Sequence, residues 1–153
     1  MPSASHSTVV PAPPEAVFAF IADGENARSW RPGVLDIKLV SGSGVGAAYA
    51  QGVRGPGGRR IAADYEITTF EPGRRLAFRA TAGPVRPEGT YTLEAVPGGT
   101  RIDFALSAEL GGLKGLLMGR SVQSTMNSEV ASIDRIADAM GLDGAGGAPA
   151  STA

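Results

Sequence analysis

The chain of 153 residues has no cysteine and a single histidine, His6. The first absence excludes disulfides, thiolate nucleophiles and cysteine-based metal sites. One histidine in a polar N-terminal segment gives no basis for a histidine-rich metal site or a histidine-centred catalytic triad. We therefore expect neither a bound metal ion nor a cofactor.

An excess of charge and long apolar runs are missing as well. Lys and Arg number 14 and Asp and Glu number 15, so the net charge is -1 and the chain lacks the basic surface that nucleic-acid binding needs. No apolar run approaches the roughly 20 residues that cross a bilayer. The start, MPSASHSTVV, lacks the basic and apolar regions of a signal peptide. We expect a cytoplasmic protein with no integral membrane segment and no nucleic-acid partner.

Glycine and proline, by contrast, are abundant, with 22 and 11 residues. Many of them stand in pairs, which mark turns, between segments in which apolar and polar residues alternate. Alternation with a period of two is typical of a strand with one buried face. The pattern predicts an antiparallel meander with strands at 8–11, 34–40, 47–53, 61–70, 76–80, 90–96 and 101–108. Most charged strand residues fall on the opposite face, where cross-strand pairs are expected.

Two short helices are predicted between the first two strands. Residues 13–15 (PPE) open the first helix, because proline is tolerated in a first turn and Glu15 suits the positive end of the helix dipole. Residues 23–24 (DG) end it. A second helical piece at 25–30 stops before the Pro-Gly pair at 32–33, since the residue before a proline is biased away from helix.

The C-terminal part changes to a helical period. Apolar residues recur every three or four positions and predict one long helix that ends at Gly141; they are Val122, Met126, Val130, Ile133, Ala137 and Met140. A long helix packed on the concave side of a curved antiparallel sheet gives an α+β domain. We assign residues 1–142 to this single domain and residues 143–153, rich in Gly and Ala, to a flexible tail.

The order of these elements resembles the helix-grip fold of the START/Bet v 1-like (SRPBCC) superfamily, with about six or seven strands around a long C-terminal helix. Within it, the chain resembles the polyketide cyclase/dehydrase branch. The resemblance spans about 8–140 and is carried by the final helix and by APPEAVFAFIAD, SWRPGV, FEPGRRLAFR and GTYTLEAVPGGTRIDF. It implies a deep hydrophobic cavity between sheet and helix. Members bind lipids, polyketides or hormones and some catalyse cyclisation or dehydration, but no shared catalytic signature assigns a catalytic residue here.

The inward strand positions are the first candidates for contact with a ligand, unless they fill a solid core; they are Tyr49, Gln51, Tyr65, Phe78, Tyr91, Leu93 and Phe104. The three tyrosines favour a cavity, because a buried phenol needs a hydrogen-bond partner that a ligand, a water or the backbone can supply. Gln51 is suited to orient the polar end of a ligand. The only tryptophan, Trp30, is a further candidate, with a purely structural anchor as the competing interpretation.

The helix adds four candidates: Met118, Val122, Gln123 and Met126. If the helix extends back to Gly115 and Gly119, its stripe lacks side chains there, and flexible methionines would border the space that opens. The competing interpretations of GGLKGLLMG are an irregular helix start, a flap, or a self-association surface that would make a homodimer.

Three functions agree with this sequence. The first is binding of a small hydrophobic molecule. The second is an aromatase, cyclase or dehydratase that acts on a polyketide-like substrate, with the tyrosines as its polar groups. The third is an accessory or membrane-recruiting module that resembles the G subunit of carbon monoxide dehydrogenase and uses GGLKGLLMG as its contact. Paired inward carboxylates and a GxSxG motif are both absent, which leaves glycosidase and serine-hydrolase chemistry without support.

Overall fold

One antiparallel sheet of eight strands organises the described part of the chain. The computed structural model describes residues 2–83, 85–108 and 112–142, and for residues 56 and 112–120 only the backbone. The strands are β1 (Ser3–Val10), β2 (Val34–Ser41), β3 (Ala48–Arg54), β4 (Arg60–Ala62), β5 (Tyr65–Glu71), β6 (Arg75–Ala80), β7 (Glu88–Val96) and β8 (Gly99–Ser107). Their order is β1-β8-β7-β6-β5-β3-β2, and β4 pairs with β3.

The helices are α1 (Pro14–Ala22), α2 (Gly112–Ala131) and α3 (Ile136–Ala139), and 3₁₀ turns lie at Gly24–Ser29, Pro56–Gly58 and Ser132–Arg135. This is the predicted helix-grip architecture, with two short helical segments after β1 and the long helix last. The alternating burial of β7 and β8 confirms that each strand has one buried face.

Three elements differ from the sequence-based expectation. The first strand, expected at 8–11, spans Ser3–Val10, because each of these residues pairs with β8. The strand expected at 61–70 is divided into β4 and β5, because the two residues between them bond to Gln51 of β3. The Ala63 backbone N–H donates to the Gln51 backbone carbonyl, and the Gln51 backbone N–H donates to the Asp64 carboxylate. The single helix expected to reach Gly141 passes through a 3₁₀ turn at Ser132–Arg135. There the Ser132 hydroxyl donates to the Glu129 carbonyl, a local bond that competes with regular helical pairing.

The core lies between the concave face of the sheet and the apolar stripe of the C-terminal helices. The predicted stripe is buried from Val122 to Ala137, and Ile133 and Ile136 are fully buried in one cluster that also contains the sheet residues Ile102 and Phe104. Burial of such a side chain contributes about 1.5–3 kcal/mol, so this stripe is the main attachment of the helix to the sheet.

Side chains block the free edges of the two outermost strands. On β1, the Gln123 amide of α2 accepts from the Ser3 backbone N–H at 3.3 Å and donates to the Ser3 carbonyl at 2.6 Å. On β2, the Leu39 N–H donates to the Glu25 carboxylate at 2.9 Å. An occupied edge cannot pair with a strand of another molecule, so both contacts oppose edge-to-edge association.

The start of α1 is fixed by a buried threonine of β8. Thr100 is fully buried, and its hydroxyl donates to the Ala12 carbonyl at 2.7 Å. This bond holds the segment that leads from β1 into α1 against the sheet.

Replacement of this hydroxyl should destabilise the fold without a change in shape. We expect Thr100→Val to lower the free energy of unfolding by about 1–3 kcal/mol, because the Ala12 carbonyl loses its donor. The matched control is Thr92→Val on the exposed side of β7, for which we expect a change within about 0.5 kcal/mol. Urea denaturation measures both, and equal effects would contradict the role given to Thr100.

Candidate functional site

A small cavity lies on the concave face, between the sheet and the 3₁₀ turn Gly24–Ser29. Its volume is about 40 Å³. On this scale a water needs about 10–15 Å³, so the space holds a few waters and is well below the roughly 300–1,000 Å³ of small-molecule pockets. The lining residues are Ile21, Ala22, Gly24, Ala27, Trp30, Arg31, Gln51, Tyr65, Ile67, Leu76, Phe78 and Tyr91.

A buried guanidinium dominates the polar part of this wall. Arg31 follows the 3₁₀ turn, and its backbone N–H donates to the Ala27 carbonyl at 2.7 Å, which turns the side chain toward the interior. Only 14% of that side chain is exposed. Its Nε donates to the Glu129 carboxylate of α2, and its Nη1 donates to the Gln51 side-chain oxygen at 2.9 Å. Arg31 therefore joins the turn, the helix and β3.

The ion pair keeps the guanidinium charged despite its burial. Burial by itself lowers the pKa of Arg31, but the Glu129 carboxylate and the nearby Tyr91 and Tyr65 outweigh it, so the pKa of Arg31 ends above its ordinary value. Because a buried charge without a partner is costly, Glu129 is what permits a cation at this depth.

Gln51 has no freedom to turn toward a ligand in this arrangement. It is almost fully buried, its side-chain oxygen accepts from Arg31, and its side-chain nitrogen donates to the Ala63 carbonyl at 3.0 Å. The amide therefore holds the guanidinium in place, and the remaining lone pair of its oxygen lies beside that cation.

The three tyrosines have different environments. The Tyr49 hydroxyl accepts from the Gly24 N–H at 3.2 Å and donates to the Ala22 carbonyl at 3.3 Å, so the backbone satisfies it. The hydroxyls of Tyr65 and Tyr91 have no hydrogen-bond partner among the described residues, and both rings line the cavity. Burial raises the pKa of Tyr65 and of Tyr91 well above the ordinary value of a phenol, against an opposing effect of Arg31. Both phenols remain protonated donors.

Aromatic rings form a continuous row beside the guanidinium. Tyr49 and Tyr65 stack with centroids 5.0 Å apart, Tyr65 meets Phe78 edge-on at 5.5 Å, and Tyr91 stacks on Phe104 at 4.1 Å. Phe78 lies 6.3 Å from Tyr91 and thereby joins the two stacked pairs. Such a row offers an apolar surface that also carries tyrosine hydroxyls.

Trp30 combines the two roles that the sequence left open. It is 3% exposed within the core cluster, contacts Tyr91 at a centroid distance of 6.2 Å and also lines the cavity. Five of the twelve candidates line the cavity: Trp30, Gln51, Tyr65, Phe78 and Tyr91.

The other candidates lie elsewhere. Leu93, Phe104, Val122 and Met126 are buried in the core cluster. The Gln123 amide is engaged with Ser3 and Asn127. The side chain of Met118 lies outside the described residues, as do the side chains of GGLKGLLMG and the tail at 143–153.

Sequence reasoning missed the two charged residues of the site. Arg31 belongs to the sequence RPG, which is typical of a turn, so it was not predicted as a site residue. Glu129 carried a usable signal: it lies three residues after Met126 and seven after Val122, on the face of the helix that packs against the sheet.

A larger surface groove lies beyond the cavity wall. It has a volume of about 600 Å³, and it runs between α1 and the β2–β3 turn. Tyr49 lines the groove, and Ala22 and Ile67 line both spaces. Only a thin layer of side chains therefore separates the two at this point.

Two further properties concern the described ranges only. They contain no cluster of three or more His, Asp or Glu side chains that could hold a metal ion. No helix in them combines the length and the apolar character that a bilayer crossing requires.

The buried phenols predict a stability loss at alkaline pH. Below about pH 10 both tyrosines are protonated in the folded and unfolded states, so their contribution to the free energy of unfolding does not change with pH. Above it the unfolded chain releases protons that the folded chain retains, so stability falls as pH rises. We expect Tyr91→Phe to show a smaller fall between about pH 8 and pH 11. Urea midpoints at both pH values measure this. An equal fall in both proteins would mean that Tyr91 ionises as readily when folded.

The sequence matches a known protein family and a relative of known sequence. The profile of the family described as polyketide cyclase / dehydrase and lipid transport matches residues 1–140. An uncharacterized protein of Mycobacterium tuberculosis is 30% identical over 103 residues, which are 65% of this chain and 60% of the relative. The match thus spans less than two thirds of the relative's length.

Solved structures show the same fold at low sequence identity. The protein TTHA0849 from Thermus thermophilus superposes with a TM-score of 0.78 at 24% identity, over 90% of this chain and 96% of that one. The neighbour Ara h 8.0201 gives 0.66 at 16% identity, over 91% and 97%. The Zhui aromatase/cyclase from a Streptomyces species gives 0.64 at 14%, over 90% and 93%. The chain belongs to the polyketide cyclase / dehydrase and lipid transport family.

Proposed function

We propose that the protein binds a small hydrophobic molecule of the polyketide, lipid or aromatic class on the concave face, between the sheet and the 3₁₀ turn Gly24–Ser29. The observation that carries this proposal is the row of aromatic rings beside the buried Arg31. An apolar wall with a few converging polar groups is the usual composition of a ligand site. Membership of a family whose description includes lipid transport and polyketide chemistry supports the same class of ligand.

The small volume of the cavity means that a ligand must displace side chains. Tyr65 and Phe78 are only partly buried, so solvent reaches this section of the aromatic row. Ala22 and Ile67 separate the cavity from the 600 Å³ groove, and movement of the neighbouring Tyr49 ring would join the two spaces. In this proposal the ligand occupies the joined space, which falls within the usual range for small-molecule pockets.

Binding can be tested with Nile red, a neutral dye whose emission changes in an apolar site. We expect the wild-type protein to bind the dye and Ala27→Val to weaken binding by roughly tenfold, because the added methyl groups occupy the cavity. Ala95→Val on the exposed side of β7 is the matched control and should leave binding unchanged.

The dye titration has two outcomes that would overturn the proposal. One is no dye binding by the folded wild-type protein. The other is equal binding by wild type and Ala27→Val, which would place the dye outside this cavity. Circular dichroism checks that each variant is folded. Native mass spectrometry of the freshly purified protein would in addition identify an apolar compound that co-purifies with it.

A cyclase or dehydratase activity is the second candidate, and the donors around the cavity favour it. Arg31, Tyr65 and Tyr91 are all donors at one end of the space, and such groups stabilise negative charge that develops on a carbonyl oxygen. Catalysis would then depend on a phenol as well as on confinement of the substrate.

Turnover separates binding from catalysis. If the protein is a cyclase, Tyr65→Phe and Tyr91→Phe should lower kcat on a polyketide-like substrate by about 10²-fold while binding persists, since each removes one positioned donor. Tyr49→Phe is the comparison, because the backbone already uses that hydroxyl. Absence of turnover across a panel of poly-β-ketone substrates would contradict the cyclase candidate and leave binding as the proposed function.

A further inference from the structure

The charge of the cavity wall indicates the chemistry of the polar end of the ligand, which family membership leaves open. This inference rests on the proposed binding function. Arg31 is the one charged residue among those that line the described cavity. The carboxylates of the joined space, Glu15, Asp23 and Glu25, line only its groove part. Glu129, which neutralises Arg31, bonds to Nε and is not among the lining residues. A molecule in the cavity therefore meets the cation without meeting its counterion first.

The remaining hydrogen-bonding capacity includes more donors than acceptors. A guanidinium has five N–H groups, and the contacts with Glu129 and Gln51 use two of them. The Tyr65 and Tyr91 hydroxyls add two donors, although each phenol oxygen can also accept. The Gln51 oxygen keeps a second lone pair, but a ligand ammonium bound there would lie beside the guanidinium and be repelled by it.

We propose that the site selects a hydrophobic acid, bound as its anion, with a carboxylate or an acidic enol oxygen held by Arg31 and the hydroxyls of Tyr65 and Tyr91. A neutral amide or alcohol has one acceptor oxygen for these donors, whereas a carboxylate has two oxygens with about four acceptor sites. Hydrogen bonds from a guanidinium to an ionised oxygen are also about twice as strong as bonds between neutral groups. The apolar part of the acid lies along the aromatic row.

Trp30 provides a readout specific to this cavity, because it is the only tryptophan of the chain and it lines the space. The probes are phenylbutanoate, phenylbutanamide and phenylbutylamine, which share one hydrocarbon and differ in the charge of the head group. We expect the carboxylate to change Trp30 fluorescence at roughly tenfold lower concentration than the amide, and the amine to bind most weakly.

Two variants separate charge selection from a structural role of the ion pair. Arg31→Met should reduce the preference for carboxylate over amide to about twofold or less, with amide binding retained. Glu129→Gln keeps a hydrogen-bond acceptor for Arg31 but removes the competing negative charge, so carboxylate affinity should rise severalfold while amide affinity stays the same. A purely structural pair would instead make Glu129→Gln weaken all three probes equally.

The outcomes distinguish this inference from the proposed function. Equal affinity of the carboxylate and the amide for the wild-type protein, or a Trp30 signal that no probe changes while Nile red still binds, would overturn the acid selectivity and leave hydrophobic binding intact. Failure of Nile red and of all three probes would overturn both. The comparison of carboxylate with amide on the wild-type protein needs no variant, so it decides the acid selectivity even if Arg31→Met or Glu129→Gln does not fold.

Discussion

The buried Arg31–Glu129 pair is the constraint around which the concave face is arranged. It connects the turn after α1, the strand β3 through Gln51, and the helix α2. These elements are far apart in the sequence, and apolar packing alone would set their spacing only loosely, because it has no direction. A charged hydrogen bond has a direction, and a buried guanidinium without its carboxylate would be costly. The register of α2 against the turn therefore depends on this pair.

The same pair explains why the interior is neither a closed core nor an open pocket. The aromatic row could close on itself, as the Tyr91–Phe104 stack does in the core. Beside Arg31 the wall instead carries the hydroxyls of Tyr65 and Tyr91, which need hydrogen-bond partners rather than apolar contacts. A cavity of about 40 Å³ remains where the rings and the guanidinium meet. The polar groups keep this part of the interior available to water or to a ligand oxygen.

The fold could be predicted from the sequence because its signals are local. Alternation, paired glycines and prolines, and the apolar stripe from Val122 to Ala137 each act within one element, and they predicted the antiparallel meander and the long final helix. The differences from expectation arose from contacts between or within elements that no pattern displays. Asp64 and Ala63 pair with Gln51 and divide a strand, and Ser132 bonds back to Glu129 and tightens a helix.

The site could be predicted only in its apolar half, for the same physical reason. Inward parity on a strand identifies Tyr65, Phe78 and Tyr91 as neighbours of an interior space. The alternation of a strand does not apply to Arg31, because this residue follows a 3₁₀ turn. Its side-chain direction depends on the backbone hydrogen bond to Ala27. Glu129 lies on the buried face of α2, but its meaning depends on a cation that the sequence places 98 residues away. A charged residue on an otherwise apolar helix face requires a buried partner, and the search for that partner leads from Glu129 to Arg31 and to the polar end of the site.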